Sequence, residues 1–153
     1  MPKITPFLWF NDDVEDAMTF YLRVFPEGCI VNTIPGPDGT LMGATFELCG
    51  QQFMGLNGGP LHQFTHAISM FVSCKDQQEV DHYWSALTAH GGQEDRCGWL
   101  KDKFGLSWQI VPDALAQTLG GPNPEGAGRA MQAMMGMKKL IVADLLKAYA
   151  GSD

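Results

Sequence analysis

Two similar successions of hydrophobic and polar positions follow each other along the first 112 residues. Residues 4–10 are apolar and aromatic over the length of a strand, and residues 14–25 then carry apolar side chains at helical spacing. Three further apolar segments end at turns or at glycine, and they are residues 29–35, 42–49 and 52–57. This order predicts a β-α-β-β-β module over residues 3–59.

The same order is repeated in residues 64–112. A strand is predicted at 66–74, and a helix capped by an aspartate follows it. Short strands are then predicted at 93–97, 98–101 and 106–111. Matching features lie 63 residues apart in four pairs, namely Asp13 and Asp76, Phe20 and Tyr83, Tyr21 and Trp84, and Gly28 and Gly91. Helix caps, aromatic positions and helix stops at one offset indicate an internal duplication.

Residues 113–153 follow neither copy of this pattern. A short helix is predicted at 113–119, a glycine- and proline-rich break follows, and a Met-rich segment leads into an apolar stripe at 140–149. We expect this tail to pack across a sheet or onto a second subunit. The prediction is therefore one α+β domain over residues 1–153, with two tandem β-α-β-β-β modules forming a curved mixed sheet around a trough and a C-terminal helical tail.

Composition narrows the class of protein. A net charge of −7 argues against a nucleic-acid partner, because phosphate binding depends on Lys and Arg, and it suits a soluble cytoplasmic protein. We expect no signal peptide and no membrane-spanning segment, since the apolar stretches are short. The four cysteines are spread singly, so we expect reduced thiols, with Cys29, Cys49 and Cys74 as small buried hydrophobes.

A trough between paired modules would hold a divalent metal through His and carboxylate side chains on facing strands. The first strand offers Thr5 or Pro6, the fourth has no carboxylate, and the last offers the neutral amide of Gln109. Among the strand residues weighed for this role, His66 alone lies near a suitable place. Because one histidine cannot hold a catalytic metal, we expect no metal site and no other cofactor.

Large aromatic side chains beside a neutral amide favour a pocket for a small molecule instead. Trp99, Trp108 and Gln109 lie on strands that are predicted to line the trough, where rings stack on a ligand and an amide hydrogen-bonds to it. The alternative is that the tryptophans close the core. Trp9 and Asn57 complete the predicted ligand-binding set.

His66 and Cys97 are the candidate catalytic residues, as acid, base or nucleophile. A cysteine nucleophile needs a base or a cation that lowers the pKa of its thiol. Arg96 is adjacent to Cys97 in sequence, but strand alternation sends its side chain to the other face. The sequence therefore offers no base or cation beside Cys97 that would make its thiol a good nucleophile.

Several segments carry a resemblance to a known family, namely residues 7–10, 17–21, 25–26, 57–60 and 131–140 and, above all, the run CGWLKDKFGLSWQIVP at 97–112. They resemble the PhnB-like family, often labelled 3-demethylubiquinone-9 3-methyltransferase, of the glyoxalase/bleomycin resistance/dioxygenase (vicinal oxygen chelate) superfamily. The resemblance implies paired modules and a homodimer. Metal-dependent relatives carry His and Glu ligands, and this chain departs from them at Thr5/Pro6 and Gln109.

The sequence therefore predicts a PhnB-like protein that binds an unidentified small molecule, without a metal, in the cleft between its modules. The alternative is an enzyme of the superfamily, of lyase, transferase or dioxygenase-like type, acting on a small organic substrate. Methyl transfer is not expected, because no glycine-rich nucleotide loop follows a first strand and no acidic ribose partner lies downstream. A third hypothesis is an assembly role in which the Met-rich tail is the working surface.

Overall fold

The computed structural model describes residues 2–151, which form two units, one ending at Phe64 and one beginning at Thr65. The elements of unit one are β1 (Phe7–Phe10), α1 (Val14–Val24), β2 (Gly28–Pro35), β3 (Leu41–Leu48) and β4 (Gln51–Asn57). Its strands are ordered β1-β4-β3-β2, with β1 parallel to β4 and the other neighbours antiparallel. One face of this sheet packs on α1, where Tyr21 stacks on Phe46 with ring centroids 6.4 Å apart.

Unit two repeats this arrangement and adds the tail. Its elements are β5 (Met70–Cys74), α2 (Gln77–Thr88), β6 (Gln93–Glu94), β7 (Trp99–Lys101), β8 (Ser107–Pro112), α3 (Asp113–Leu119), α4 (Pro124–Met135) and α5 (Val142–Ala150). The strand order β5-β8-β7-β6, again with one parallel pair, matches that of unit one. The predicted α+β fold of two β-α-β-β-β modules with a helical tail is confirmed, as two four-stranded mixed sheets.

Two predicted strand starts are wrong, and one strand is much shorter than predicted. β1 begins at Phe7 rather than at residue 4, and β5 begins at Met70, so His66 lies in the segment before its strand. β6 has only two residues because Cys97 and Gly98 adopt left-handed φ angles of 58° and 84°, which turn the chain out of the extended conformation.

The two module helices begin differently, although an aspartate occupies the cap position of each. Asp76 caps α2 as predicted, since its Oδ1 accepts a hydrogen bond from the Glu79 amide at 2.9 Å. Asp13 makes no such side-chain bond at α1, so its predicted capping role is wrong. The backbone N–H of Val14 donates instead to Oδ1 of Asn57, at the end of β4, at 2.8 Å.

The tail is held to unit two by the segment between α4 and α5. The amides of Cys97 and Gly98 donate to the carbonyls of Met137 and Lys138 at 2.9 and 2.8 Å. The side-chain amide of Gln77, at the start of α2, donates to the carbonyl of Leu140 and accepts from the amide of residue 142. Leu140 is fully buried, and α3, α4 and α5 pack on one another. The tail thus anchors to a turn and a helix of the second module.

The cysteines are free thiols in different surroundings. Cys74 is buried, as predicted, whereas Cys29 and Cys49 are exposed, so the prediction of burial is wrong for these two. Burial, aided by the Glu79 carboxylate, raises the pKa of the Cys74 thiol to about 12, which keeps it protonated. Among residues 2–151, no helix combines the length and the apolar character needed to cross a membrane.

Candidate functional site

The second sheet has a packed face and an open face. Alternation along β7 and β8 places Leu100, Trp108 and Ile110 on the packed face, where each is at most 3% exposed. The open face carries one row of side chains across three neighbouring strands, because Gln109 pairs with Phe71 on one side and with Trp99 on the other. Phe71 is 59% exposed. We refer to the surface formed by His66, Ser69, Phe71, Trp99 and Gln109 as the second-sheet face.

The amide of Gln109 is fixed by a neighbour on this face. Its Nε2 donates to Oγ of Ser69 at 2.9 Å. An amide has two N–H donors and a carbonyl acceptor, so one N–H and the carbonyl of Gln109 keep their capacity for a ligand. Oγ of Ser69 accepts this bond, and its own hydroxyl proton therefore points elsewhere.

The imidazole of His66 is oriented from both sides. Its Nδ1 lies 3.0 Å from Oγ of Ser107, a fully buried residue, and its Nε2 lies 3.9 Å from Oδ2 of Asp95. Its ring meets that of Trp99 edge-on, with centroids 6.3 Å apart. The side chains of His66 and Asp95 are each about half exposed, so a solute reaches the imidazole beside the indole of Trp99.

Charges of both signs border the second-sheet face. Asp95 lies against His66, and its backbone amide donates to the carbonyl of Trp99 at 2.9 Å. Lys101 pairs with Ser107 across β7 and β8, which places it on the open face two residues beyond Trp99. Within residues 2–151, Lys101 makes no ion pair with a carboxylate. One cation and one anion therefore border the site.

Trp108 does not belong to the second-sheet face, so the structure does not bring it together with Trp99 and Gln109. It is 3% exposed on the packed face, and its Nε1 donates to Oδ2 of Asp102 at 2.8 Å. Oδ1 of Asp102 also accepts from the backbone amides of Phe104 and Leu106. The structure supports the alternative that this tryptophan closes the core. Within the run at 97–112, Asp102, Phe104, Leu106 and Trp108 are therefore joined in one buried turn.

Two predicted residues lie in unit one. Asn57 uses both ends of its amide within that unit, since Oδ1 accepts from Val14 and Nδ2 donates to the carbonyl of Leu41 at 3.1 Å. One N–H of its Nδ2 is left over, and the role of Asn57 in ligand binding stays a prediction. Trp9 donates from Nε1 to the carbonyl of Gly59 at 2.9 Å and is half-buried, and its role in binding stays a prediction.

Cys97 is half-buried in the left-handed turn that holds the tail, and it is not part of the row formed by Trp99 and Gln109. A catalytic role for Cys97 stays a prediction. In the part of the chain that the structure describes, no three His, Cys, Asp or Glu side chains converge as a metal-binding group. The second-sheet face offers one imidazole beside an amide, a donor set that does not fit a catalytic metal. Thr5, at the predicted metal position of the first strand, precedes β1.

Sequence reasoning missed Ser69, Phe71, Asp95 and Ser107. Ser107 could have been identified from the sequence, because it lies two residues before Gln109 on one strand and so shares its face. Phe71 lies in the strand predicted at 66–74, whose sequence does not mark which of its side chains face outwards. No sequence signal indicates that Asp95 approaches His66, since that contact depends on the fold.

Comparisons with known proteins agree with this architecture. A family model described as 3-demethylubiquinone-9 3-methyltransferase matches residues 2–111. A PhnB protein from Bacillus cereus, named as a 3-demethylubiquinone-9 3-methyltransferase, is 33% identical over 72% of this chain and 99% of its own, with a TM-score of 0.67. No curated protein matches the chain.

More distant structures share the fold alone. A protein from Pseudomonas aeruginosa is 19% identical over 71% of this chain and 95% of its own, with a TM-score of 0.58. The fosfomycin resistance protein FosX from Listeria monocytogenes, solved with Mn(II) and sulfate, is 15% identical over 71% of this chain and 89% of its own, with a TM-score of 0.53. The chain belongs to the PhnB-like family described as 3-demethylubiquinone-9 3-methyltransferase.

Proposed function

We propose that this protein binds a small planar organic molecule on its second-sheet face. The observation that carries the proposal is the row in which Gln109 lies between two rings, the exposed Phe71 and the half-buried Trp99. Ligand sites typically combine apolar or aromatic walls with a few placed polar groups, and this row has that composition. His66, held edge-on to Trp99, adds a second polar group.

The binding mode that we propose needs no metal, because its polar contacts are an amide, a hydroxyl and an imidazole. A cleft between the modules, with Trp9 as a further wall, remains the location predicted from the sequence. Metal-free binding predicts that a chelator leaves the affinity for the ligand unchanged. A loss of binding with a chelator, restored by a divalent cation, would contradict it.

Calorimetric titration with naphthol, naphthoate and naphthamide tests the proposal. At least one of these planar probes should bind, and Trp99→Leu should weaken its binding by roughly 5- to 150-fold, since stacking on one aromatic ring contributes about 1–3 kcal/mol. Tyr83→Leu, at a half-buried aromatic residue on α2, is the matched control and should leave the affinity unchanged. Absence of binding by all three probes, or equal affinities of the wild type and Trp99→Leu, would refute the proposal.

A second candidate is an enzyme of the superfamily that uses His66 as an acid or base. The observation that favours it is the imidazole fixed between Ser107 and Asp95 with one edge accessible. Turnover of small carbonyl and aromatic compounds, followed by mass spectrometry, should be lost in His66→Ala and kept in His82→Ala, an exposed histidine of the same unit. Turnover that survives His66→Ala would remove this candidate.

We do not propose methyl transfer. The connection from β1 to α1 is Asn11-Asp12-Asp13 and that from β5 to α2 is Lys75-Asp76, and neither resembles a glycine-rich nucleotide loop.

We also propose a homodimer, as the family resemblance implies, and a cytoplasmic location, which the net charge of −7 suits. Support comes from the edge strand β2, on which Ile30, Val31 and Ile34 are each about half exposed. Exposed apolar edge strands favour pairing with another chain. Sedimentation of a purely monomeric species at micromolar concentration would contradict the dimer.

A further inference from the structure

We infer that the ligand of the second-sheet face is an uncharged planar molecule with a hydrogen-bond donor next to an acceptor, as in an amide, lactam or imide. This inference rests on the proposed binding function and adds the chemical class of the ligand. Three features carry it: the unused half of the Gln109 amide, the balance of charge, and the placement of the two rings.

The free hydrogen-bonding groups of Gln109 favour a ligand that has both a donor and an acceptor over a ligand that has acceptors alone. One N–H of Nε2 is taken by Ser69, and in the part of the chain that the structure describes the Gln109 side chain makes no further hydrogen bond. One N–H and the carbonyl Oε1 are left, which is one donor beside one acceptor. A ligand amide satisfies both groups, whereas a carboxylate has acceptors alone and would set its oxygen against Oε1.

Charges of opposite sign border the site, so an ion of either sign would meet a like charge. Lys101 contributes one positive charge on the open face, and Asp95 contributes one negative charge beside His66. The remaining nearby carboxylate, that of Glu94, accepts a hydrogen bond from the buried Trp84 at 2.6 Å on the packed side. A carboxylate or ammonium ligand would lose hydration and would lie near a like charge as well as an opposite one, so a neutral ligand is favoured.

The rings define the shape of the ligand. Phe71 and Trp99 stand on the strands at either side of Gln109, and neighbouring strands are about 4.8 Å apart. A planar molecule that lies over the Gln109 amide therefore reaches both rings while its polar group meets the amide. A flexible aliphatic chain would gain less from these rings and lose more conformational entropy.

The test compares naphthamide and naphthoate, which have nearly the same shape and differ in charge and in donors. In calorimetric titrations at pH 7.5, naphthamide should bind at least about tenfold tighter than naphthoate, because only the amide pairs both free groups of Gln109. Gln109→Leu should lower this preference to less than about threefold. Gln117→Leu, at an exposed amide on α3, is the control and should leave the preference unchanged.

Each outcome decides the matter. A tenfold preference that collapses in Gln109→Leu supports the inference. Naphthoate binding as tightly as naphthamide, or a preference that survives Gln109→Leu, overturns the inference and leaves the proposed binding function in place. Failure of both probes to bind overturns the inference, and it overturns the proposed function as well only if naphthol also fails to bind.

Discussion

The two sheets have the same strand order but carry different chemistry on matching rows. The corresponding rows are Phe7–Met54–Thr45 in the first sheet and Phe71–Gln109–Trp99 in the second. A phenylalanine starts both, and then a thioether and a hydroxyl stand where the second sheet has an amide and an indole. The duplicated backbone therefore supplies a platform, and the side chains of the second copy supply the groups that recognise a ligand.

The two units also stabilise their hairpins and helices differently. The turn between β3 and β4 consists of Cys49 and Gly50, both in left-handed conformation, whereas the turn between β7 and β8 is built around the buried Asp102. In unit one the helix is capped from a distant strand, and in unit two from its own first turn. The first N–H of α1 is thus held by a long-range hydrogen bond, whereas the aspartate cap of α2 is local.

The largest effect should come from removing the carboxylate of the second hairpin. Asp102→Ala leaves two backbone amides and the indole N–H of Trp108 without their acceptor, and we expect a loss of about 3–5 kcal/mol in the free energy of unfolding in urea. Asp38→Ala, in the exposed hairpin of unit one, is the control and should change unfolding little. Equal losses in the two variants would show that burial of the Asp102 carboxylate is not what stabilises the β7–β8 turn.

Substitutions at the two helix starts should lower the free energy of unfolding by an intermediate amount, and the loss should be larger at α1 than at α2. Asn57→Ala removes two long-range hydrogen bonds and should destabilise by about 2 kcal/mol, whereas Asp76→Ala removes one cap and should destabilise by about 1 kcal/mol. Urea unfolding followed by circular dichroism measures both, with the exposed Asn11→Ala as control. If Asp76→Ala proved the more damaging, the distant cap would not be what holds α1.

The smallest effect on stability should come from Asp13, the aspartate that makes no capping hydrogen bond at α1. Burial and the neighbouring Asp12 raise the pKa of the Asp13 carboxyl above its usual value. A raised pKa means that the folded state holds this proton more tightly than the unfolded state, so the contribution is favourable at low pH and is lost as the pH rises through the folded-state pKa.

Asp13→Asn should therefore raise the Tm slightly at pH 7, and the gain should fade as the pH drops towards 3. Asp76→Asn is the matched control, and it should give no gain at neutral pH, because Asp76 caps its helix. Thermal unfolding across this pH range measures both variants. If the Tm difference between Asp13→Asn and the wild type stayed constant with pH, the charge of Asp13 would not be its cause.

The fold could be predicted because its signals are local or periodic. Apolar spacing located α1 and α2 to within about two residues, and the 63-residue offset between them revealed the second copy. Strand ends were less certain because few local features mark them. β5 was placed four residues too early, which brought His66 into a strand that does not contain it.

The candidate site was predicted in part, and one error was avoidable. Trp108 and Gln109 are consecutive in a strand, so they cannot share a face, and the sequence alone could have excluded one of them. Asn57 could not be assigned from sequence, because its amide reaches Val14, 43 residues earlier. The grouping of Trp99 with His66 depends in the same way on a contact between distant segments.

The bonds from the Cys97–Gly98 turn to the carbonyls of Met137 and Lys138 limit how this protein can be dissected. A fragment that stops after β8 would lose the acceptors of two backbone amides and uncover the space next to Gly98 that Leu140 fills. The smallest piece of the second half worth expressing by itself therefore runs from Thr65 to at least Gly151. Deletions meant to probe the tail should leave residues 137–140 in place.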